Sequence, residues 1–102
     1  MKRTGKTFII VTNDGANHEN VFLSWDAEGS YYTTVDYVDE INEFDFHGTV
    51  GQAMDRAKDA DSGTLFGWPA PMKVVELLNF DEAYNNGAEP EFKEIVTITF
   101  NK

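Results

Sequence analysis

Five carboxylates, Asp36, Asp39, Glu40, Glu43 and Asp45, fall within residues 36–46, DYVDEINEFDF, interleaved with five apolar side chains and no Lys or Arg. Such a row could supply an acid/base pair, trap a cation, solvate a surface, or meet a positively charged partner. As a helical turn, Asp36, Asp39, Glu40 and Glu43 would share one face roughly 5–6 Å apart. As a strand, alternate residues would stand about 6.6 Å apart. Either way like charges become neighbours, which disfavours the element by a few tenths of a kcal/mol per pair unless water or a cationic partner offsets it.

The catalytic reading is weak. Carboxylate pairs of the glycosidase kind need a set separation in a cleft, and an acidic chain supplies candidate pairs by chance. Ser24, Ser30 and Ser62 lie in no nucleophile-elbow context, and no phosphate-binding loop or dinucleotide fingerprint occurs. Metal binding fares no better. The loop NDGANHEN offers Asp14, Asn17, His18 and Glu19, but neither a three-ligand zinc spacing nor the alternating acids of a calcium loop is present. His47, just before a helix cap, reads as structural. A non-enzymatic protein without cofactor or metal is therefore expected.

Charge is the sharper guide. Eighteen acids against eight bases give a formal net charge of −10, which opposes direct contact with nucleic acid or an anionic membrane. From Thr7 to Asp55 there are ten acids and no Lys or Arg, although an ordinary solubilising surface mixes both signs. Asp14, Glu19, Asp26 and Glu28 occupy loops that flank the row. If those loops lie beside it, the negative field is continuous and suits a basic protein surface. The absence of cysteine removes disulfides and thiol chemistry, and no segment reaches the length of a signal core or membrane span. A cytoplasmic protein is expected.

These side chains need a scaffold. At 102 residues with 41% hydrophobic content, residues 1–102 should form a single domain with one core. TFIIVT (7–12) is β-branched and aromatic and ends at Asn13-Asp14-Gly15, so a strand and turn are expected. VFLSW (21–25) and YYTTV (31–35) read as a hairpin around DAEGS. Strand 3 is expected to run to about Tyr37, followed by an irregular or one-turn helical piece and a short strand at Phe44–Phe46. Thr49 and Gln52 have capping-box spacing, and Val50, Ala53, Met54 and Ala57 form one apolar stripe that stops at Ser62-Gly63. GWPAP (67–71) must be loop. Strands follow at Lys73–Leu78 and Glu94–Phe100, with a helical turn at Phe80–Tyr84. Hairpin-length links imply antiparallel pairing. The expectation is an α+β fold: a mostly antiparallel sheet of about five strands with one amphipathic helix packed on one face.

Trp68, between Gly67 and Pro69, is either a lid over the core or an exposed aromatic anchor for a partner, a residue type enriched at interface hot spots. In size, charge, lack of cysteine and lack of a catalytic signature, the chain resembles the small acidic inhibitors of bacteriophages and mobile elements, the DNA mimics among anti-restriction and anti-CRISPR proteins. That resemblance implies a partner that binds nucleic acid, met in the host cytoplasm, and it transfers no site residue by residue. The expected partner-binding residues are Asp14, Glu19, Asp26, Glu28, the row Asp36, Asp39, Glu40, Glu43 and Asp45, and Trp68. The alternative is a small regulatory or assembly subunit that binds a protein through its sheet edge or the Trp68 loop.

Overall fold

A computed structural model describes residues 5–12 and 21–100. Five strands, β1 (Phe8–Thr12), β2 (Val21–Asp26), β3 (Tyr31–Val35), β4 (Met72–Leu77) and β5 (Phe92–Ile98), form one antiparallel sheet in the order β3-β2-β1-β4-β5. The fold is α+β, as the hairpin-length links require.

The central strand decides the layering. Every residue of FIIVT in β1 is buried, so both faces of the sheet are covered. Phe8 and Ile10 point to one side, where they pack with Leu23, Met72 and Val74 beneath α1 (Val50–Ser62). Ile9 and Val11 point to the other, among Phe22, Val75, Leu77 and the segment 38–46. That second face is closed by α2 (Phe80–Asn86), which prolongs the turn expected at Phe80–Tyr84. A lone helix on a single face is thus replaced by two covered faces.

Helix α1 begins where the cap residues dictate. Thr49 Oγ1 accepts the Gln52 N–H at 3.1 Å, while the Gln52 side chain reaches back to the Gly48 N–H rather than to Thr49 itself. Its innermost residues are Ala53, Ala57 and Ala60, all 0% exposed, with Val50 and Met54 half-buried beside them. The stripe expected from Val50 to Ala57 therefore continues one turn further and is rotated towards the alanines. Small side chains let the helix axis approach the sheet closely. At the end of α2, Gly87 takes φ +69°, the left-handed cap conformation that a side chain would strain.

The short strand expected at Phe44–Phe46 does not form. Two 3-10 turns, Val38–Glu40 and Glu43–Asp45, occupy the segment, and only His47 pairs, bridging Phe8 in both directions at 2.8 and 2.9 Å.

Candidate functional site: an acidic strip over two hollows

Residues 36–46 cross the sheet as a strap whose apolar side chains are its roots. Val38, Ile41 and Phe46 enter the core, and Asp36, Asp39, Glu40 and Glu43 are left on the outer side, exposed. Asn42 pins the middle: its N–H donates to Ser24 Oγ at 2.9 Å, its side-chain amide donates to Trp25 O at 3.0 Å, and its Oδ1 accepts the Phe44 N–H at 3.0 Å. Phe46 in turn packs edge-on against Phe80 and Tyr84 of α2, with ring centroids 5.2 and 5.7 Å away.

The strap borders three hollows: one of about 480 Å³ beside Asn42 and Phe44 holds Arg56 with Asp59, and the other two carry the carboxylates. The larger, about 780 Å³, lies between residues 36–40, α2 and the loop 87–90; Phe22, Val38, Ala83 and Phe92 form its floor. Asp36, Asp39, Glu40 and Glu89 line its sides. Its far wall is held by Asn79, whose amide donates to Glu89 O at 2.9 Å and whose Oδ1 accepts the Glu91 N–H at 2.8 Å. The smaller, about 330 Å³, is lined by Asp26, Glu28 and Glu40 around Trp25 and Thr33. Glu40 belongs to both, so the β2–β3 hairpin and the strap form one strip of carboxylates. Among the described residues, neither of these two hollows is lined by Lys or Arg.

At the hairpin, the Asp26 carboxylate accepts the Gly29 and Glu28 N–H groups at 3.1 and 3.0 Å. The Gly29 N–H, opposed by desolvation and helped by the Tyr31 hydroxyl and the Glu28 N–H, holds this carboxyl below its ordinary value. Asp26 therefore keeps its charge into mildly acidic conditions. Ser30, at φ +56°, completes the reversal.

Asp45 stands apart from the row it was grouped with. The second 3-10 turn sends Phe44 outward, 69% exposed, and Asp45 inward, 2% exposed. There Asp45 Oδ2 accepts the Trp25 N–H at 2.7 Å and Oδ1 accepts Arg56 Nε at 2.8 Å. The Arg56 guanidinium lies over the Tyr32 ring, 4.9 Å from its centroid, with Trp25 at 5.9 Å. This ion pair ties the strap to α1 and is structural. Replacing Arg56 with Ala should leave a buried carboxylate short of its cation. An expected loss of about 2–3 kcal/mol, reduced from the fully buried case because Arg56 is partly exposed, corresponds to a fall of roughly 10–20 °C in thermal midpoint. Arg56→Lys should recover only part of it, since an ammonium cannot keep both the carboxylate contact and the ring stacking.

Burial first, then donation to Asp59 Oδ2 at 2.5 Å, raises the Tyr32 phenol well above its ordinary range, with Arg56 opposing. A raised native value means the stability it carries is complete below the unfolded value near 10 and is lost as pH climbs above it. In an alkaline absorbance titration, Tyr32 should ionise later than an ordinary tyrosine, and Tyr32→Phe should remove one late-titrating phenol.

Trp68 is likewise interior, 6% exposed, and serves as the lid rather than the exposed anchor. Its indole N–H donates to Thr12 Oγ1 at 2.9 Å, its backbone N–H donates to Asp61 Oδ1 at 2.7 Å, and the Thr12 hydroxyl donates to Pro71 O at 3.1 Å. The exposed apolar groups of this loop are Leu65 and Phe66, 89% and 87% exposed at the tip of a turn closed by Gly67 N–H to Thr64 O at 3.0 Å. They were not singled out from sequence, although two adjacent bulky residues between Thr64 and Gly67 carry that signal. Asp14 and Glu19 lie outside the described residues. Among the described residues no cluster of three His, Cys, Asp or Glu could hold a metal ion, and no helix is long and apolar enough to cross a membrane.

No family model matches the chain, and no curated protein or solved structure matches it.

Proposed function

We propose that this protein is a non-enzymatic binding protein whose acidic strip occupies a cationic surface on a nucleic-acid-binding enzyme, taking the place of phosphates and so inhibiting it. One observation carries the reading. Asp26, Glu28, Glu40, Asp39 and Asp36 run along two joined hollows whose described lining holds no Lys or Arg. An ordinary solvated face would interleave the two signs. Enzymes that grip DNA or RNA present Lys and Arg at phosphate spacing, and such surfaces attract a strip of fixed carboxylates from a distance. A partner of this kind works in the cytoplasm, which is where the protein would act.

The test is competition at two salt concentrations. Partners captured from lysate by the tagged full chain should be nucleic-acid-binding enzymes, and duplex DNA should displace the protein from them. Affinity should drop at least about tenfold between about 50 and 200 mM salt. A partner held unchanged at high salt and indifferent to DNA would defeat the reading.

That last outcome belongs to the second reading, a regulatory or assembly subunit docking through the loop that Trp68 anchors. Leu65 and Phe66, almost wholly exposed on a hydrogen-bonded turn, support it, because a paired aliphatic and aromatic knob fits an apolar pocket. Salt-resistant capture that is lost in Leu65→Ser with Phe66→Ser would establish it.

A further inference from the structure

A strip that imitates phosphates needs carboxylates and nothing else, yet the larger hollow has an apolar floor. Phe22, Val38, Ala83 and Phe92 are buried or half-buried at its base, and Asp36, Asp39, Glu40 and Glu89 stand exposed around it. Tyr37, 68% exposed, lines the same hollow, held there by its buried neighbour Val38. At about 780 Å³ the cleft falls within the range of ligand-binding sites.

From this combination we infer that the cleft is a docking slot for an arginine-bearing segment of the partner protein, its apolar and aliphatic parts on the floor and its guanidinium groups at the rim. The inference rests on the basic partner of the preceding reading and adds where on the strip the contact is made. Each component has a physical role. An arginine stem is aliphatic and buries well against Phe22, Val38 and Phe92, while its charged head stays at the edge. A planar guanidinium meets carboxylates in pairs and stacks on an aromatic ring, which Asp39, Glu40, Glu89 and Tyr37 offer together; a lysine ammonium gains less from such a site. The rim excludes the other occupants. Phosphates of nucleic acid would be repelled, and so would a second copy of a chain with net charge −10.

The position of the slot also has a consequence for salt. Apolar contact is not screened, so a partner seated on the floor keeps part of its affinity when the outer carboxylates are screened.

Two probes of equal charge decide it, titrated into the isotope-labelled full chain and followed by amide NMR: a short peptide alternating arginine with leucine, and an oligolysine. The expected result is shifts at Val38, Ala88 and Phe92 with the arginine–leucine peptide, and an affinity at least about tenfold above that for oligolysine. Ala88→Trp, which fills the cleft from an exposed position without changing charge, should weaken the peptide at least about tenfold. Glu28→Gln, on the hairpin outside the cleft, should change it less than about threefold. The thermal midpoint of each variant is measured alongside, and the shift map stands even if Ala88→Trp folds poorly. Equal affinity for both probes, with shifts centred on Asp26 and Glu28, would overturn the slot while leaving the acidic strip as the binding surface. Absence of binding by either probe would overturn both, and probe-free shifts that grow with protein concentration would replace the partner with a second copy.

Discussion

Replacing Ala57 with aspartate should leave the chain unfolded at room temperature. Ala57 is 0% exposed at the middle of the α1 stripe, between Ala53 and Ala60, facing the layer of Phe8, Ile10, Leu23, Met72 and Val74. The close approach that alanine permits leaves no room for a carboxylate to turn outward and no cation to meet it. An aspartate there must be buried charged, or take up a proton and still overpack the seam, and either cost is comparable with the roughly 5–15 kcal/mol by which folded domains are stable. Far-ultraviolet circular dichroism should lose its cooperative melt. Met54→Asp, at a half-buried position, should fold with reduced stability, because its side chain can reach water. Lys58→Gln, on the exposed side of α1, should stay within about 0.5 kcal/mol of wild type. Normal melting of Ala57→Asp would show that α1 presents a different face to the sheet.

Reversing two charges of the strip should have the opposite profile. Asp39 and Glu40 are exposed on the first 3-10 turn among other carboxylates, so Asp39→Lys with Glu40→Lys relieves like-charge repulsion. The thermal midpoint should be unchanged or slightly higher. Binding to the cationic partner should fall by about two orders of magnitude or more, because each new lysine both removes an attraction and adds a repulsion. Kinetics will locate the pair: a slower association marks the rim of the interface, a faster dissociation its centre. Unchanged stability with unchanged binding would reduce the strip to a solvated face, and attention would move to Leu65 and Phe66.

The parts of this fold that depend on neighbours in sequence were readable from it. The Thr49 cap, the β2–β3 hairpin and the strands on either side of α2 are local decisions of backbone conformation and hydrogen bonding. FIIVT in β1 carries four consecutive apolar residues before Thr12, which is how a strand covered on both faces reads, and it signals a second layer opposite α1. Asp45 and Trp68 were not readable, since their burial depends on partners distant in the chain. The Trp25 N–H and the Arg56 guanidinium donate to the Asp45 carboxylate, and Thr12 receives the indole N–H of Trp68 across 56 positions of sequence. A residue's type announces what it can do, and only the tertiary neighbours decide whether it is turned inward to do it. The hollows are of the same kind, built from the β2–β3 hairpin, the strap, α2 with the loop after it and the start of β5, segments that no spacing rule connects.

The Asn42 clamp has a thermodynamic consequence. Asn42 donates to Ser24 and Trp25 on β2 and accepts the Phe44 N–H within the strap, and these three bonds fix the strap's course in the free protein. A carboxylate-bearing loop that became ordered only in the complex would forfeit about 0.5–1.5 kcal/mol for each side chain immobilised, together with the backbone's own freedom. Here the backbone share of that entropy is already spent in folding. On the reading proposed above, the strip would meet its partner preorganised, with little of the electrostatic attraction lost to rearrangement.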